Sequence, residues 1–222
     1  MADKHRDISA AGMQFTSEMT TSATHELKNK LGIMNENAGL IQDLFYMEKQ
    51  GRPLDTARIE AISHKIQDQI RVADGIIKKL NGFAGTMVMS ENETDLGQAL
   101  TNVLEIADRL IAKHRCTVQV TPPDAPLVVA AVPFQVQNLL WVCVRTACQM
   151  AEDAGNIRVT LTVAEGKPIV SFAIEGTDNH AVSDTDYAEM NMLVDALGAK
   201  VSLTDEGKGF SLFWGATPRG GM

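Results

Sequence analysis

The sequence has few of the residues that would indicate several common classes of protein. Its 222 residues include only three cysteines, Cys116, Cys143 and Cys148, and these form no C-x-x-C pair of the kind found in zinc or redox sites. Because free cysteine usually behaves as a small apolar residue, we expect three buried, reduced thiols. The 17 glycines and 7 prolines are not concentrated in one tract, which excludes collagen-like and disordered chains.

Positive charge is also scarce. The chain has 20 Lys and Arg against 28 Asp and Glu, a formal net charge of -8, whereas a nucleic-acid-binding surface needs clustered positive charge. Residues 1–90 hold 11 basic and 11 acidic residues, and residues 91–222 hold 9 and 17. We therefore expect no nucleic-acid partner, and the whole negative excess lies in the second part of the chain.

Long apolar runs are absent as well. No segment approaches the roughly 20 uncharged apolar residues that a membrane span requires. The charged residues 1–7 lead into no apolar run of signal-peptide length. We expect a soluble, cytoplasmic protein without a membrane partner.

Apolar residues recur at steps of three and four in two stretches of the first 80 residues, the spacing typical of a helical seam. The stretches are Leu27, Leu31, Met34, Ala38, Ile41 and Phe45, and then Ile59, Ile62, Ile66, Ile70, Ala73, Ile77 and Leu80. Gly51 and Pro53 end the first helix, and so short a connection makes the two helices antiparallel neighbours. Such a hairpin buries only one side of each helix, so we expect a homodimer in which two hairpins form a four-helix bundle.

The pattern changes at residues 85–93, which are predicted to form a linker. Beyond it, stretches of helical periodicity alternate with short stretches of strand-like alternation. Helices are expected at 95–114, 134–152 and 187–197, and strands at 117–121, 127–132, 157–164, 168–174, 199–204 and 209–216. This order indicates one mixed sheet with helices on one face. The predicted fold class is α+β, with a helical dimerisation domain over residues 1–86 and an α/β sandwich over residues 94–222.

The first helix contains the sequence His25-Glu26-Leu27-Lys28-Asn29. His25 and Asn29 are four residues apart, so they share a stripe beside the apolar seam. This segment resembles the dimerisation and phosphoacceptor domain of bacterial histidine kinases, whose hallmark is His followed by an acidic, an aliphatic and a basic residue and then Asn or Thr. The sequence departs from the family at Lys30, where the family often has Pro.

The resemblance implies a role for each polar residue of this segment. His25 is expected to be the phosphoacceptor, since a neutral imidazole nitrogen is nucleophilic near pH 7. Glu26 is its expected acid/base partner, because an adjacent carboxylate can fix the imidazole tautomer. Asn29 matches the position that orients water in kinases with phosphatase activity. Lys28 could help to neutralise a phosphoryl group or could be an ordinary solvated residue.

The second domain resembles the ATP-binding domain that histidine kinases share with gyrase and Hsp90-type ATPases. In that family an Asn on a helix reaches magnesium. Here one alignment places Val142 at that position, with Asn138 matching an earlier Asn of the family, and the other places Thr146 there. In either alignment the magnesium ligand is missing, so we expect no metal and no nucleotide cofactor in this chain.

The turn that reads adenine in that family is an Asp-x-Gly-x-Gly sequence. Glu175 or Asp178 could replace its Asp, but no glycine lies between Gly176 and Gly198. Neither a turn that cradles phosphate nor a lid with glycine hinges can therefore be drawn.

Together these resemblances imply a histidine phosphotransferase of a two-component phosphorelay. His25 would carry a phosphoryl group between the aspartates of receiver domains, and the receivers would supply the magnesium. One alternative is the core of a divergent sensor histidine kinase that phosphorylates His25 from ATP. The other is a non-catalytic dimeric scaffold or a response-regulator phosphatase, in which Asn29 matters more than His25.

Overall fold

The computed structural model describes residues 2–90, 93–151, 155–175, 182–204 and 208–215, with side chains from residue 6 onward. These ranges contain five helices and seven strands. In chain order they are α1 (Ala2–Lys49), α2 (Thr56–Thr86), β1 (Thr94–Asp95), α3 (Leu96–Lys113), β2 (Thr117–Thr121), β3 (Val128–Val129), α4 (Pro133–Met150), β4 (Asn156–Ala164), β5 (Lys167–Glu175), α5 (Asp184–Ala196), β6 (Ala199–Leu203) and β7 (Gly209–Trp214).

Helices α1 and α2 form the predicted helical hairpin, and local chemistry sets the turn between them. Gly51 has a φ of +87°, a backbone conformation that favours glycine after a helix end. The N–H of Gly51 bonds to the carbonyl of Glu48 at 2.8 Å. Asp55 then caps α2, because its Oδ1 accepts a 3.0 Å hydrogen bond from the N–H of Arg58.

Five of the seven described strands form a mixed sheet in the order β2-β4-β5-β7-β6. Strand β2 runs parallel to β4, and the other neighbours are antiparallel. Burial alternates along β4 and β5, so one face of the sheet is covered and the other is open. The rings of Phe172 and Phe210, which are register partners on the covered face, stack with their centroids 4.9 Å apart.

Helix α4 is the centre of the core around this sheet. Thirteen of its 18 residues are buried, and it contacts α3, α5 and β5. Side-chain caps fix the starts of its neighbours: Asp95 accepts from the N–H of Gln98 at α3, and Ser183 accepts from the N–H of Asp186 at α5. The α4 sequence is apolar on nearly all sides because helices and sheet surround it.

The predicted linker at residues 85–93 falls between α2, which ends at Thr86, and β1, which begins at Thr94. The prediction for residues 127–132 as a strand of the main sheet was wrong. Residues 128–129 pair with β1 in a separate two-stranded sheet and add no strand to the main one. The reason is local: the Thr94 hydroxyl donates to the carbonyl of Ala131 at 2.7 Å, and the N–H of Leu96 donates to that of Leu127 at 2.9 Å.

The chain divides into two compact units, Met19–Gly82 and a unit that combines Met1–Glu18 with Phe83–Met222. In the second of these, the rings of Phe15, Phe83 and Phe134 cluster with centroid separations of 5.1 to 6.2 Å. The beginning of α1 thus packs against α4, a contact that the periodicity of α1 did not indicate.

The α+β fold class is confirmed, as a helical hairpin followed by an α/β domain built on a mixed sheet. The strand-like stretches after residue 155 are also confirmed to within a few residues. None of the described helices combines the length and the hydropathy that a membrane span requires.

Candidate functional site

His25 lies on α1, about midway along the helix, and its side chain is exposed to solvent. Among the residues that the structure describes, no hydrogen bond or ion pair engages it. The neighbouring Thr24 hydroxyl bonds back to the carbonyls of Thr20 and Thr21 at 2.8 and 3.0 Å, so it turns towards its own helix. The imidazole is therefore open to an incoming reactant.

The helix places the other three polar residues of the segment at different angles around His25. Asn29, one turn further on, is exposed on the same stripe, and side chains at this spacing are about 5–6 Å apart at Cβ. Lys28 is exposed and lies three residues from His25, on the other flank of that stripe. Glu26 is half-buried and adjacent in sequence, so it lies about 100° around the helix from His25.

The apolar seam residues next to this segment are only partly buried within the hairpin. Leu27 is half-buried, whereas Leu31, the next seam position, is 60% exposed in the single chain. Leu40, Phe45 and Ile70 are likewise exposed by more than 40%. Exposed apolar side chains at these seam positions are candidate contacts for another protein surface.

Chemically, the segment combines a nucleophile with groups that can accept a proton or hydrogen-bond to a phosphoryl oxygen. An imidazole nitrogen can attack phosphorus and hold the phosphoryl group as a labile phosphoramidate. A carboxylate next to it can accept the ring proton, and an amide one turn away can hydrogen-bond to water or to a phosphoryl oxygen.

The structure places both candidate magnesium positions of α4 inside the core. Val142 and Thr146 are each 1% exposed, and the Thr146 hydroxyl has no hydrogen-bond partner among the described residues. Asn138 is also buried at 3% exposure, and its Oδ1 has no partner there either. None of the three side chains faces open solvent, where a nucleotide's phosphates and their metal would enter.

The predicted adenine turn falls mostly outside the described residues. Glu175, the last residue of β5, is described: its Oε1 pairs with Nη2 of Arg158 at 2.8 Å on the sheet surface. Gly176 and Asp178 lie outside the described residues. Over the ranges that the structure covers, no group of three His, Cys, Asp or Glu side chains is arranged to hold a metal ion.

A charged cluster on α4 was missed by the sequence analysis. Arg145, which is 15% exposed, has guanidinium nitrogens 3.7 Å from Glu18, 3.8 Å from Asp186 and 2.5 Å from Glu189. The three carboxylates come from the beginning of α1 and from α5, more than 40 residues from Arg145. Because no local pattern joins these positions, only the fold could show that they meet. The cluster links three helices through one arginine, which donates a hydrogen bond to Glu189 and forms longer ion pairs with the other two carboxylates.

No protein-family model and no curated protein matches the chain. Among solved structures, the Acinetobacter baumannii histidine kinase AdeS covers 86% of this chain with 98% of its own, at 14% identity and a TM-score of 0.47. The catalytic domain of the histidine kinase ThkA matches 59% of this chain along 100% of its length, at 18% identity and a TM-score of 0.48. A structure described as a bacterial phosphotransferase matches 90% of this chain and 95% of its own, at 12% identity and a TM-score of 0.48. At these identities and TM-scores, the roles of residues are argued from this chain's own chemistry.

Proposed function

We propose that this protein is a dimeric histidine phosphotransferase of two-component signalling, with His25 as the residue that carries the phosphoryl group. The observation that carries the proposal is the exposed imidazole of His25, which has no partner among the described residues and belongs to the segment His25-Glu26-Leu27-Lys28-Asn29 on a helical hairpin. An exposed helix position gives a large protein partner access to the nucleophile. Its partners are receiver domains, each of which brings its own aspartate and magnesium.

The transfer has two balanced steps. First, a nitrogen of His25 attacks the phosphorus of an aspartyl phosphate on one receiver, the acyl P–O bond breaks, and the aspartate leaves as a carboxylate. Second, a carboxylate of another receiver attacks that phosphorus, the P–N bond breaks, and the imidazole is released. Glu26 accepts and returns the ring proton, and Lys28 offers positive charge to the phosphoryl oxygens during both displacements.

The second domain supports a transferase without its own ATP site. Val142 and Thr146 occupy the candidate magnesium positions but are buried within α4's packing. Val142 has no ligand atom, and a threonine hydroxyl in the core cannot reach a phosphate in solvent. These two buried positions support a phosphoryl group that comes from another protein, which is the property that separates a phosphotransferase from a kinase.

The proposal is tested by supplying phosphate from two sources. The purified chain is mixed with labelled ATP alone, and separately with receiver domains phosphorylated with label on aspartate. We expect label on the chain only from a receiver, with loss to background in His25→Ala. The matched control is His64→Ala, which removes an exposed histidine on α2 whose Nε2 is 3.9 Å from Glu60; it should transfer normally.

Each other outcome contradicts the proposal. Label acquired from ATP alone would identify an autokinase. If no receiver transferred label to the chain, the alternative of a non-catalytic dimeric scaffold would be favoured. Accelerated loss of phosphate from the receiver that survives His25→Ala but is abolished by Asn29→Ala would identify a phosphatase, because the amide then positions water without a phosphohistidine.

The roles of Glu26 and Lys28 are distinguished by the rate of phosphotransfer in their variants, not by the final amount of label transferred. Glu26→Gln keeps the size of the side chain but removes its basic carboxylate, so transfer should slow by about 10²-fold, the scale of a lost general base. Lys28→Gln removes one exposed charge and should slow transfer less than about tenfold, since salt and solvent screen it. Equal effects of the two substitutions would contradict the acid/base role of Glu26.

A further inference from the structure

Two of the three cysteines meet in the core of the larger compact unit. The Sγ of Cys116 lies 2.8 Å from the Sγ of Cys148, with the Cys116 thiol as the donor. Both are free thiols, and they are 9% and 1% exposed. A sulfur–sulfur bond is about 2.05 Å long, so bond formation requires the two atoms to approach by only about 0.8 Å.

The backbone on each side fixes this approach. Cys116 follows Arg115, whose φ of +53° turns the chain sharply between α3 and β2. The next residue, Thr117, begins β2 and donates its N–H to the carbonyl of Gly155 at 3.1 Å. Cys148 lies in the last turn of α4, where Ala151 closes the helix by bonding to Ala147 at 2.9 Å. Both sulfurs are thus carried on segments that backbone hydrogen bonds hold in place.

The third cysteine has a different environment and supplies an internal comparison. Cys143 is fully buried on α4, and its Sγ lies 3.8 Å from the Sδ of Met190. A thioether cannot form a disulfide with a thiol. Only Cys116 and Cys148 are arranged as a thiol pair among the described residues.

We propose that Cys116 and Cys148 are a disulfide-forming site that a peroxide oxidises. In the first step the Cys116 sulfur attacks one peroxide oxygen, the O–O bond breaks, and a sulfenic acid and one water are formed. In the second step the Cys148 sulfur attacks the sulfenic sulfur, the S–O bond breaks, and a second water leaves with the thiol proton. Two electrons pass from the two thiols to hydrogen peroxide. Two equivalents of a small thiol then reduce the protein disulfide by exchange and are themselves oxidised to a disulfide.

Exposure decides which sulfur reacts first. Cys116 is the more accessible residue of the two, whereas burial, followed by the hydrogen bond and charge of Cys116, raises the pKa of the Cys148 thiol. A buried neutral thiol is a poor nucleophile towards peroxide but can resolve a sulfenic acid that is already in contact with it. The reaction should therefore be slow and should lead to the disulfide rather than to separate oxidation of each sulfur.

The bond would tie the sheet edge to the helical layer. Strand β2 is at one edge of the sheet and pairs there with β4 alone among the described strands. A bond from the residue before β2 to the end of α4 would hold that edge closed. The site is independent of His25, so the inference stands or falls separately from the proposed function.

The test is a thiol count on the full chain after treatment with hydrogen peroxide. Remaining thiols are alkylated under denaturing conditions, and intact mass and peptide maps are recorded. We expect one alkylated cysteine, Cys143, and a mass about 2 Da below that of the reduced chain before alkylation is counted. Cys143→Ala should leave no alkylated cysteine, and Cys148→Ala should yield no intramolecular crosslink.

A second measurement covers variants that fold poorly. In the wild-type chain, oxidation should raise the thermal midpoint, and dithiothreitol should restore the reduced value; in Cys116→Ala, oxidation should leave the midpoint unchanged. Three alkylated cysteines after oxidation would overturn the proposal. So would sulfinic acid at Cys116 without a crosslink, or a crosslink that includes Cys143.

Discussion

The indole Nε1–H of Trp141, near the middle of α4, donates a 2.7 Å hydrogen bond to Oε2 of Glu18 on α1. The two residues are 123 positions apart in sequence. The other carboxylate oxygen of Glu18 accepts from Gln14 at 2.8 Å and faces Arg145 at 3.7 Å. One carboxylate therefore anchors the beginning of α1 to the central helix of the α/β domain.

Replacing this indole by a ring without a donor should destabilise the protein measurably. Trp141→Phe removes a hydrogen bond to a charged group, so we expect a loss of about 1–2 kcal/mol in the free energy of unfolding by urea. Trp214→Phe is the matched control, because Trp214 is equally buried but its Nε1 has no partner among the described residues. Equal losses in the two variants would show that the hydrogen bond to Glu18 contributes nothing.

Removing the cation of the charged cluster should cost more. Arg145→Met leaves Glu18, Asp186 and Glu189 facing one another in a mostly buried site, and we expect a loss of about 3 kcal/mol. Adding Glu189→Gln to that variant should recover part of the loss, because one of the repelling charges is then absent. Urea unfolding of Arg145→Met, Glu189→Gln and the double variant gives the interaction free energy between the two residues.

The sheet surface supplies the control for this cluster. Arg158 pairs with Glu175 at 2.8 Å, but their side chains are 53% and 46% exposed. Arg158→Met should therefore cost less than about 1 kcal/mol. A loss as large as that of Arg145→Met would mean that burial is not what gives the α4 cluster its effect.

Close backbone packing makes a different kind of prediction at Gly209. A Cβ at this position would lie 2.0 Å from the carbonyl oxygen of Phe172 on the neighbouring strand β5. Gly209→Ala must push β7 away from β5, and we expect a loss of about 2–3 kcal/mol in the free energy of unfolding. Gly215→Ala, just beyond β7, would place its Cβ more than 4 Å from any atom of the described residues that it could meet, so it should change stability by less than about 0.5 kcal/mol.

The elements were predictable where one local signal dominated. Alternating apolar residues predicted β4 and β5, and Glu165-Gly166 between them adopts φ values of +53° and +72° in the tight turn. Gly51 and Pro53 likewise marked the end of α1. In these places propensity, periodicity and turn chemistry agree, so a single sequence contains the necessary information.

The contacts between distant segments could not be predicted in the same way. Phe15 and Phe134 are 119 residues apart but pack with their centroids 5.6 Å from each other. In the sequence, Arg145 has no feature that distinguishes it from other charged helix residues. Its carboxylate partners come from α1 and α5 and are known only from the fold. The pairing of Cys116 with Cys148 has the same origin, because neither spacing nor neighbours distinguish these two cysteines from Cys143.

The exposed apolar residues of the hairpin predict its oligomeric state. Leu31 and Ile70 are 60% and 52% exposed in one chain, and burying them against a second hairpin would complete a four-helix bundle. We expect the wild-type protein to have twice the mass of the 24.1 kDa chain in light scattering. Leu31→Lys and Ile70→Lys should each give a monomer, since a lysine ammonium cannot be buried in an apolar seam.

A lysine on another face of the same helix is the control for dimerisation. Glu36 is exposed and lies about 140° around α1 from Leu31. Glu36→Lys should leave the dimer intact. A wild-type monomer at micromolar concentration, or dissociation by all three substitutions alike, would contradict the bundle.

The alkaline limit of stability should depend on Cys143. Burial, the largest cause, raises the pKa of this thiol from its usual value of 9.0, so the folded state retains a proton that the unfolded chain loses. The stabilisation is complete below pH 9 and is lost as the pH rises further, at about 1.4 kcal/mol per pH unit for one thiol. Between pH 9 and 10.5 the free energy of unfolding of Cys143→Ala should therefore fall less steeply than that of the wild-type chain.

Cys148→Ala removes the other thiol whose pKa is raised and should likewise make the fall in the free energy of unfolding less steep. Parallel slopes for the wild-type protein and both variants would mean that neither thiol is held protonated by burial.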